Sequence, residues 1–203
     1  MERLINLFYK NPFWEKIIPT QVYCLKKELE NCRSVLDLGC GPDSPVKFCR
    51  QITYSVGVEI FKPYLKKSKI HNKYVLGDIR KVNFPKKSFD AVIVLDVLEH
   101  LPKNDGRKLI KKMENWAKKK IVINTPNGFY PQKDKDQNSH QRHLSGWEIS
   151  ELAKLGYKAK GMAGLKQLEA RRNIFFVFSA VSQIFTYFFP KAAFEIFYVK
   201  KCV

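Results

Sequence analysis

Residues 33–44, Arg-Ser-Val-Leu-Asp-Leu-Gly-Cys-Gly-Pro-Asp-Ser, limit what this chain can fold into more than any other stretch. Residues 34–38 read as a short buried strand. Gly39-Cys40-Gly41 then forces a tight turn where side chains would block a ligand. A helix is expected to begin near Pro45. Strand, glycine turn and helix start together form a binding site for a nucleotide-like ligand.

Two features narrow the ligand. A dinucleotide fingerprint needs a third glycine so that the helix can approach a pyrophosphate. Here Gly39 and Gly41 are followed by Ser44. Asp37, just before the turn, would repel a pyrophosphate but suits an ammonium group. S-adenosylmethionine carries that group and no phosphate. Residues 54–59 read as a second strand whose terminal acid, Glu59, is placed for ribose hydroxyls. Gly77-Asp78-Ile79 closes a third strand, with an acid and an apolar residue fit for an adenine ring.

The ordered set Asp37-Leu38-Gly39-Cys40-Gly41, Glu59, Gly77-Asp78-Ile79 and Asp96-Val97-Leu98-Glu99-His100-Leu101 resembles the class I S-adenosylmethionine-dependent methyltransferases, in their type 11/12-like small-molecule branch. The resemblance covers roughly residues 30–160. It implies a Rossmann-like α/β fold: a doubly wound, mostly parallel seven-stranded sheet with one antiparallel strand and helices on both faces. It implies S-adenosylmethionine as cofactor, held by Asp37, Gly39, Cys40, Gly41, Glu59, Ile60, Asp78, Ile79, Asp96 and Val97. Asp43 departs from the pattern, since many members have a further glycine there.

The rest of the chain suits that expectation. Its 203 residues, 45% of them hydrophobic, fill one domain. The expected divisions are an N-terminal helical cap at 1–31, a cofactor-binding core at 32–161, and an aromatic helix with the last strand at 162–203. The cap carries Leu4, Leu7, Phe8, Ile17, Ile18, Val22, Leu25 and Leu29 at helical spacing. Further strands are expected at 74–77, 90–95, 120–124, 157–160 and 194–199, with an amphipathic helix at 103–117. Ser145 and Glu148 read as a capping box for a helix ending at Gly156. Five cysteines without metal spacing, and no visible signal peptide, point to a cytoplasmic protein with free thiols.

A sulfonium methyl is already activated, so the protein needs to place a nucleophile, exclude water and take a proton. Candidate groups are Glu99 and His100 after the fourth strand, and Tyr130, His140 and His143 in the long polar segment 126–143. That segment reads as a lid at the carboxyl edge of the sheet. His100 is the sharpest general-base candidate, because imidazole titrates near neutrality. No metal is expected. The alternative is a divalent cation on Asp96, Glu99, His100 and His143. Small-RNA 3′-terminal 2′-O-methyltransferases are similar over Glu99-His100, Thr125-Pro126-Asn127 and His143, but have glutamate where this chain has Asp96.

The expected activity is methyl transfer to a small-molecule, glycan or lipid-linked acceptor. RNA 2′-O-methylation is the alternative, and a non-catalytic cofactor-binding regulator a further one. Lysine and arginine number 37 against 19 acids, a net charge of +18. That suits an anionic membrane surface, with nucleic acid less favoured as a partner. A helix at about 165–189 is very aromatic, with Ser179, Ser182, Gln183 and Thr186 in one narrow stripe. It reads as a buried helix of the fold, ahead of an oligomer contact or a membrane-surface helix flanked by Arg171, Arg172 and Lys191. Lys200 and Lys201 would lie near the headgroups in that last case. No membrane span is expected.

Overall fold

The computed structural model describes residues 18–134, 138–166 and 176–202, with 176–180 by backbone alone. Strand β1, Ser34–Leu38, is the hub. The Asp90 carboxylate accepts from the Arg33 backbone at 2.8 Å, while the Ser34 hydroxyl accepts from the Asp90 backbone at 2.8 Å. This exchange fixes β1 beside β4, Phe89–Leu95. The remaining strands are β2 (Tyr54–Glu59), β3 (Lys73–Leu76), β5 (Ala117–Pro126), β6 (Lys158–Leu165) and β7 (Ala193–Lys201).

The sheet runs β3-β2-β1-β4-β5-β7-β6. All neighbours are parallel except β7, which is antiparallel to both β5 and β6. The order reverses between β1 and β4, so the crevice at their carboxyl ends is the natural ligand site. Residues 91–94 of β4 are wholly buried, as a central strand covered on both faces requires.

Five helices surround the sheet among the described residues: α1 (Gln21–Glu28), α2 (Lys62–Lys67), α3 (Lys103–Trp116), α4 (Ile149–Lys154) and α5 (Phe176–Phe188). One face packs Leu109, Ile110, Met113 and Trp116 of α3 against the sheet, with Leu152 of α4. The other face packs Cys24 and Leu25 of α1 with Val35, Ile93 and Phe197. Of the expected cap, residues 1–17 lie outside the described residues. All five cysteines are free, and burial pushes the Cys24 and Cys49 thiols up to about 11, so they are inert packing groups.

Three expectations need correction. The helix expected from Pro45 is one 3-10 turn, Pro45–Phe48, because β2 begins at Tyr54 and leaves no room for more. The capping box at α4 joins Glu148 and Glu151, not Ser145 and Glu148. The Ser145 amide instead donates to the Glu99 carbonyl at 3.0 Å, tying the chain to the site.

The third correction concerns the aromatic helix. β6 continues to Leu165, residues 167–175 lie outside the described residues, and α5 spans Phe176–Phe188. Its apolar side is not buried: Val181, Ile184, Phe185 and Phe188 are 59%, 37%, 50% and 71% exposed, and Phe189 just beyond it 57%. Ser182, Gln183 and Thr186 of its polar stripe turn toward the sheet. β6 has a register shift between Met162 and Leu165, with positive φ at Ala163 and Gly164. The Gly164 amide donates to Gln183 Oε1 at 2.9 Å, and the Leu165 amide to Ser182 Oγ at 3.1 Å. Gln183 Nε2 donates to the carbonyls of Gly161 and Pro19 at 3.0 and 2.9 Å. Buried backbone groups must be paired, and here side chains of α5 pair them.

Candidate active site

The carboxyl ends of β1, β2 and β4 border a cavity of about 560 Å³. Asp37, Gly39, Cys40, Gly41, Glu59, Ile60, Asp78, Ile79, Asp96 and Val97 all line it. Nearby segments add Gln21 from α1, Arg80, and Asn138 to Gln141 from the 126–143 loop.

The glycine turn is held from two sides. The amides of Gly39 and Cys40 donate to the Val58 carbonyl at 2.8 and 3.1 Å. Glu59 then accepts from the Gly41 amide at 3.0 Å through Oε2, and from the Phe61 amide at 2.8 Å through Oε1. Gly39 has φ +73°, and a Cβ there would stand 2.4 Å from Val97 Cγ2, so the turn packs directly on the segment after β4. Gly41 has φ +58°, and a Cβ there would meet nothing within 4 Å, because it borders the open cavity. A flat, backbone-lined cradle with acids at both ends fits an adenosyl group bearing a charged amine.

Asp37 is buried and accepts from the Ser44 hydroxyl at 2.5 Å. His71 Nε2 also stands 3.2 Å from Asp37 Oδ2, a neighbour the sequence pattern did not reveal. Asp78 is gripped by the Arg80 guanidinium, with Nη2 at 2.6 Å from Oδ2. That hydrogen bond holds the Asp78 carboxyl below its ordinary range. Asp96, which lines the cavity, has φ +55°, an uncommon conformation for a non-glycine residue. Its carboxylate accepts from Asn124 Nδ2 at 2.6 Å and Gln21 Nε2 at 3.1 Å. Asn124 Nδ2 also donates to Glu195 Oε2 at 3.2 Å, bringing β7 into the site.

Of the five proposed catalytic groups, His100 and His140 line the cavity. Glu99 lies beneath, 2% exposed, accepting from the Thr125 hydroxyl at 3.1 Å. Burial, reinforced by the Asp96 charge, raises its pKa well above the usual carboxylate range. The His100 and His143 rings stand 4.8 Å apart. His100 Nδ1 lies 3.2 Å from the Arg142 carbonyl, and His143 Nδ1 lies 2.6 Å from the Tyr130 carbonyl. A carbonyl only accepts, so both Nδ1 atoms carry a proton, which leaves Nε2 as the atom that accepts or ligates whenever the ring is neutral. Burial, with His143 nearby, lowers the His100 pKa despite the Arg142 hydrogen bond, so the ring is neutral at pH 7.

Ligand atoms of Glu99, His100 and His143 all lie within 4.8 Å of one another. Asp96, the fourth member of the alternative metal set, is not in that group; its carboxylate is turned to Asn124 and Gln21. Tyr130 packs its ring edge-on against Phe194 at 5.1 Å and serves the cluster through its carbonyl. The 126–143 loop closes on itself: Arg142 pairs with Asp134 at 3.0 Å, and Gln132 Nε2 donates to the Gln141 carbonyl at 2.8 Å. Gln21, Arg80, Asn124, Asn138 and Glu195 escaped the sequence reading. Polar residues without a motif give no signal until the chain folds.

Residues 36–122 match the family model described as a methyltransferase domain. The (S)-coclaurine N-methyltransferase of Thalictrum flavum subsp. glaucum is 26% identical over 115 residues, 51% of this chain. The match covers 31% of that relative, so the chain spans about a third of its length. Among solved structures, the small RNA methyltransferase HEN1 superposes with a TM-score of 0.62 at 15% identity, over 90% of this chain and 25% of that one. Magnesium protoporphyrin IX methyltransferase from Synechocystis PCC 6803, with bound SAH, superposes with a TM-score of 0.59 at 11% identity over 100% of both chains.

Proposed function

We propose that the chain is a class I S-adenosylmethionine-dependent methyltransferase and that it methylates a nucleophilic atom of a small or lipid-linked acceptor bound over His100. The observation that supports this reading most is the shared cavity: the glycine cradle, Glu59 and the neutral His100 all line it. S-adenosylmethionine, when bound, supplies a methyl group already activated by its positively charged sulfur. Asp37 would face the amine end of that cofactor, Glu59 the ribose, and Asp78 with Ile79 the adenine.

His100 holds its Nδ1 proton on the Arg142 carbonyl, so Nε2 is the basic atom that takes the acceptor's proton. With the cofactor bound, the acceptor's lone pair would form the bond to the methyl carbon, and the electron pair of the broken carbon–sulfur bond would stay on sulfur. The 138–141 segment borders the cavity and would help exclude water once the ligands are bound. The test is transfer from methyl-labelled cofactor into separated lipid, small-molecule and RNA pools. Label in the lipid or small-molecule pool supports the proposal.

A second reading is favoured by the Glu99, His100 and His143 cluster. Two imidazoles with fixed tautomers and one carboxylate could hold a divalent cation, which would also offset the cost of ionising buried Glu99. In that reading the acceptor is an RNA 2′-hydroxyl; the structurally similar HEN1 is by name a small RNA methyltransferase. Label confined to RNA and abolished by a chelator would favour it. Cofactor binding without label in any pool would point to a regulatory protein.

A further inference from the structure

We propose that the exposed side of α5 docks on an anionic phospholipid surface. Val181, Ile184, Phe185, Phe188 and Phe189 recur at i, i+3, i+4, i+7 and i+8, one continuous apolar face. All five are more than a third exposed, and Phe188 reaches 71%. This orientation is built in, since Ser182 and Gln183 are committed to the bulged backbone of β6. Rolling the helix to bury its aromatics would strand those amides.

The face extends beyond the helix. Asn127 donates to the carbonyls of Lys191 and Ala193 at 3.1 and 2.9 Å, fixing the end of α5 to the carboxyl end of β5. Phe129 and Tyr130 follow directly and are 57% and 40% exposed. The aromatic end of α5 therefore lies on the same sheet edge as Asn124, which donates to Asp96 on the border of the cofactor cavity.

Charge selects the occupant. No acidic residue occurs in Phe176–Phe188, while two lysines beside its aromatic end are exposed: Lys191, three residues past the helix, and Lys166, whose Nζ donates to the Asn127 carbonyl. The whole chain carries +18, so a second copy would bring like charge against like, whereas an anionic bilayer attracts it. None of the described helices is long and apolar enough to cross a membrane, so α5 would lie in the interface plane.

The test is flotation of the full chain with phosphatidylcholine vesicles, with and without phosphatidylglycerol. The unmodified chain should float with the phosphatidylglycerol vesicles, and added salt should weaken the association. The double variant Phe185→Ser with Phe188→Ser should bind about tenfold less, with unchanged thermal unfolding because both side chains are exposed. Lys191→Glu should also lower binding. Binding equal in the double variant and the parent would overturn the proposal. So would no preference for the anionic vesicles, or a dimer in solution that the same two substitutions dissociate.

Discussion

Glu59 Oε2 accepts a hydrogen bond from the Gly41 amide at 3.0 Å, so the acid that ends β2 also shapes the turn that follows β1. One carboxylate thus links the two halves of the cofactor cradle. Its removal would act on the proposed ribose contact and on the loop together.

Glu59→Ala should therefore weaken S-adenosylmethionine binding by about 1–3 kcal/mol, the cost of leaving polar partners unsatisfied. Titration calorimetry measures this. Unchanged affinity would show that neither the loop anchor nor the ribose contact matters.

The two glycines of the turn should separate stability from binding. Gly39→Ala places a Cβ 2.4 Å from Val97 Cγ2 and should cost about 1–3 kcal/mol in denaturant unfolding. Gly41→Ala meets no atom within 4 Å, so its stability cost is limited to the left-handed backbone, about 1 kcal/mol. Its main effect should be lost cofactor affinity.

His100→Ala and His143→Ala should lower turnover more than cofactor affinity. Burial keeps the His100 pKa below its ordinary value, so the neutral, basic form persists into mildly acidic solution. Turnover should be flat near neutrality and fall only below the ordinary histidine range, about pH 6.5. A decline that begins well above neutrality would exclude His100 as the base.

Glu28 of α1 accepts from Lys120 of β5 and Lys160 of β6, both at 3.0 Å. Burial alone would raise its pKa, but the two lysines outweigh burial and hold it below the ordinary value. Folding stability from this group is therefore present above the unfolded-state pKa, about 4.3, and is lost as pH falls through the lower folded value. Glu28→Gln should cost about 1–3 kcal/mol at pH 7 and little once Glu28 is protonated, as read from unfolding midpoints across pH. An equal loss at both ends of that range would assign the effect to packing.

Local pattern in the chain is enough to reveal much of this protein. The strand periods, the Gly39-Cys40-Gly41 turn and the acids at 37, 59 and 78 each rest on neighbours within a few residues. Those signals place a parallel sheet and a cofactor cradle without long-range information. The tertiary structure alone brings His143 to His100, and Asn124 to both Asp96 and Glu195, because these partners are 28 to 71 residues apart in the chain. It also decides which side of α5 is outward. Periodicity identifies a polar stripe and an apolar face but assumes that the apolar face is inside. The bulge in β6 reverses that assumption: its buried amides need partners, and Ser182 and Gln183 supply them, which leaves Phe185 and Phe188 facing out.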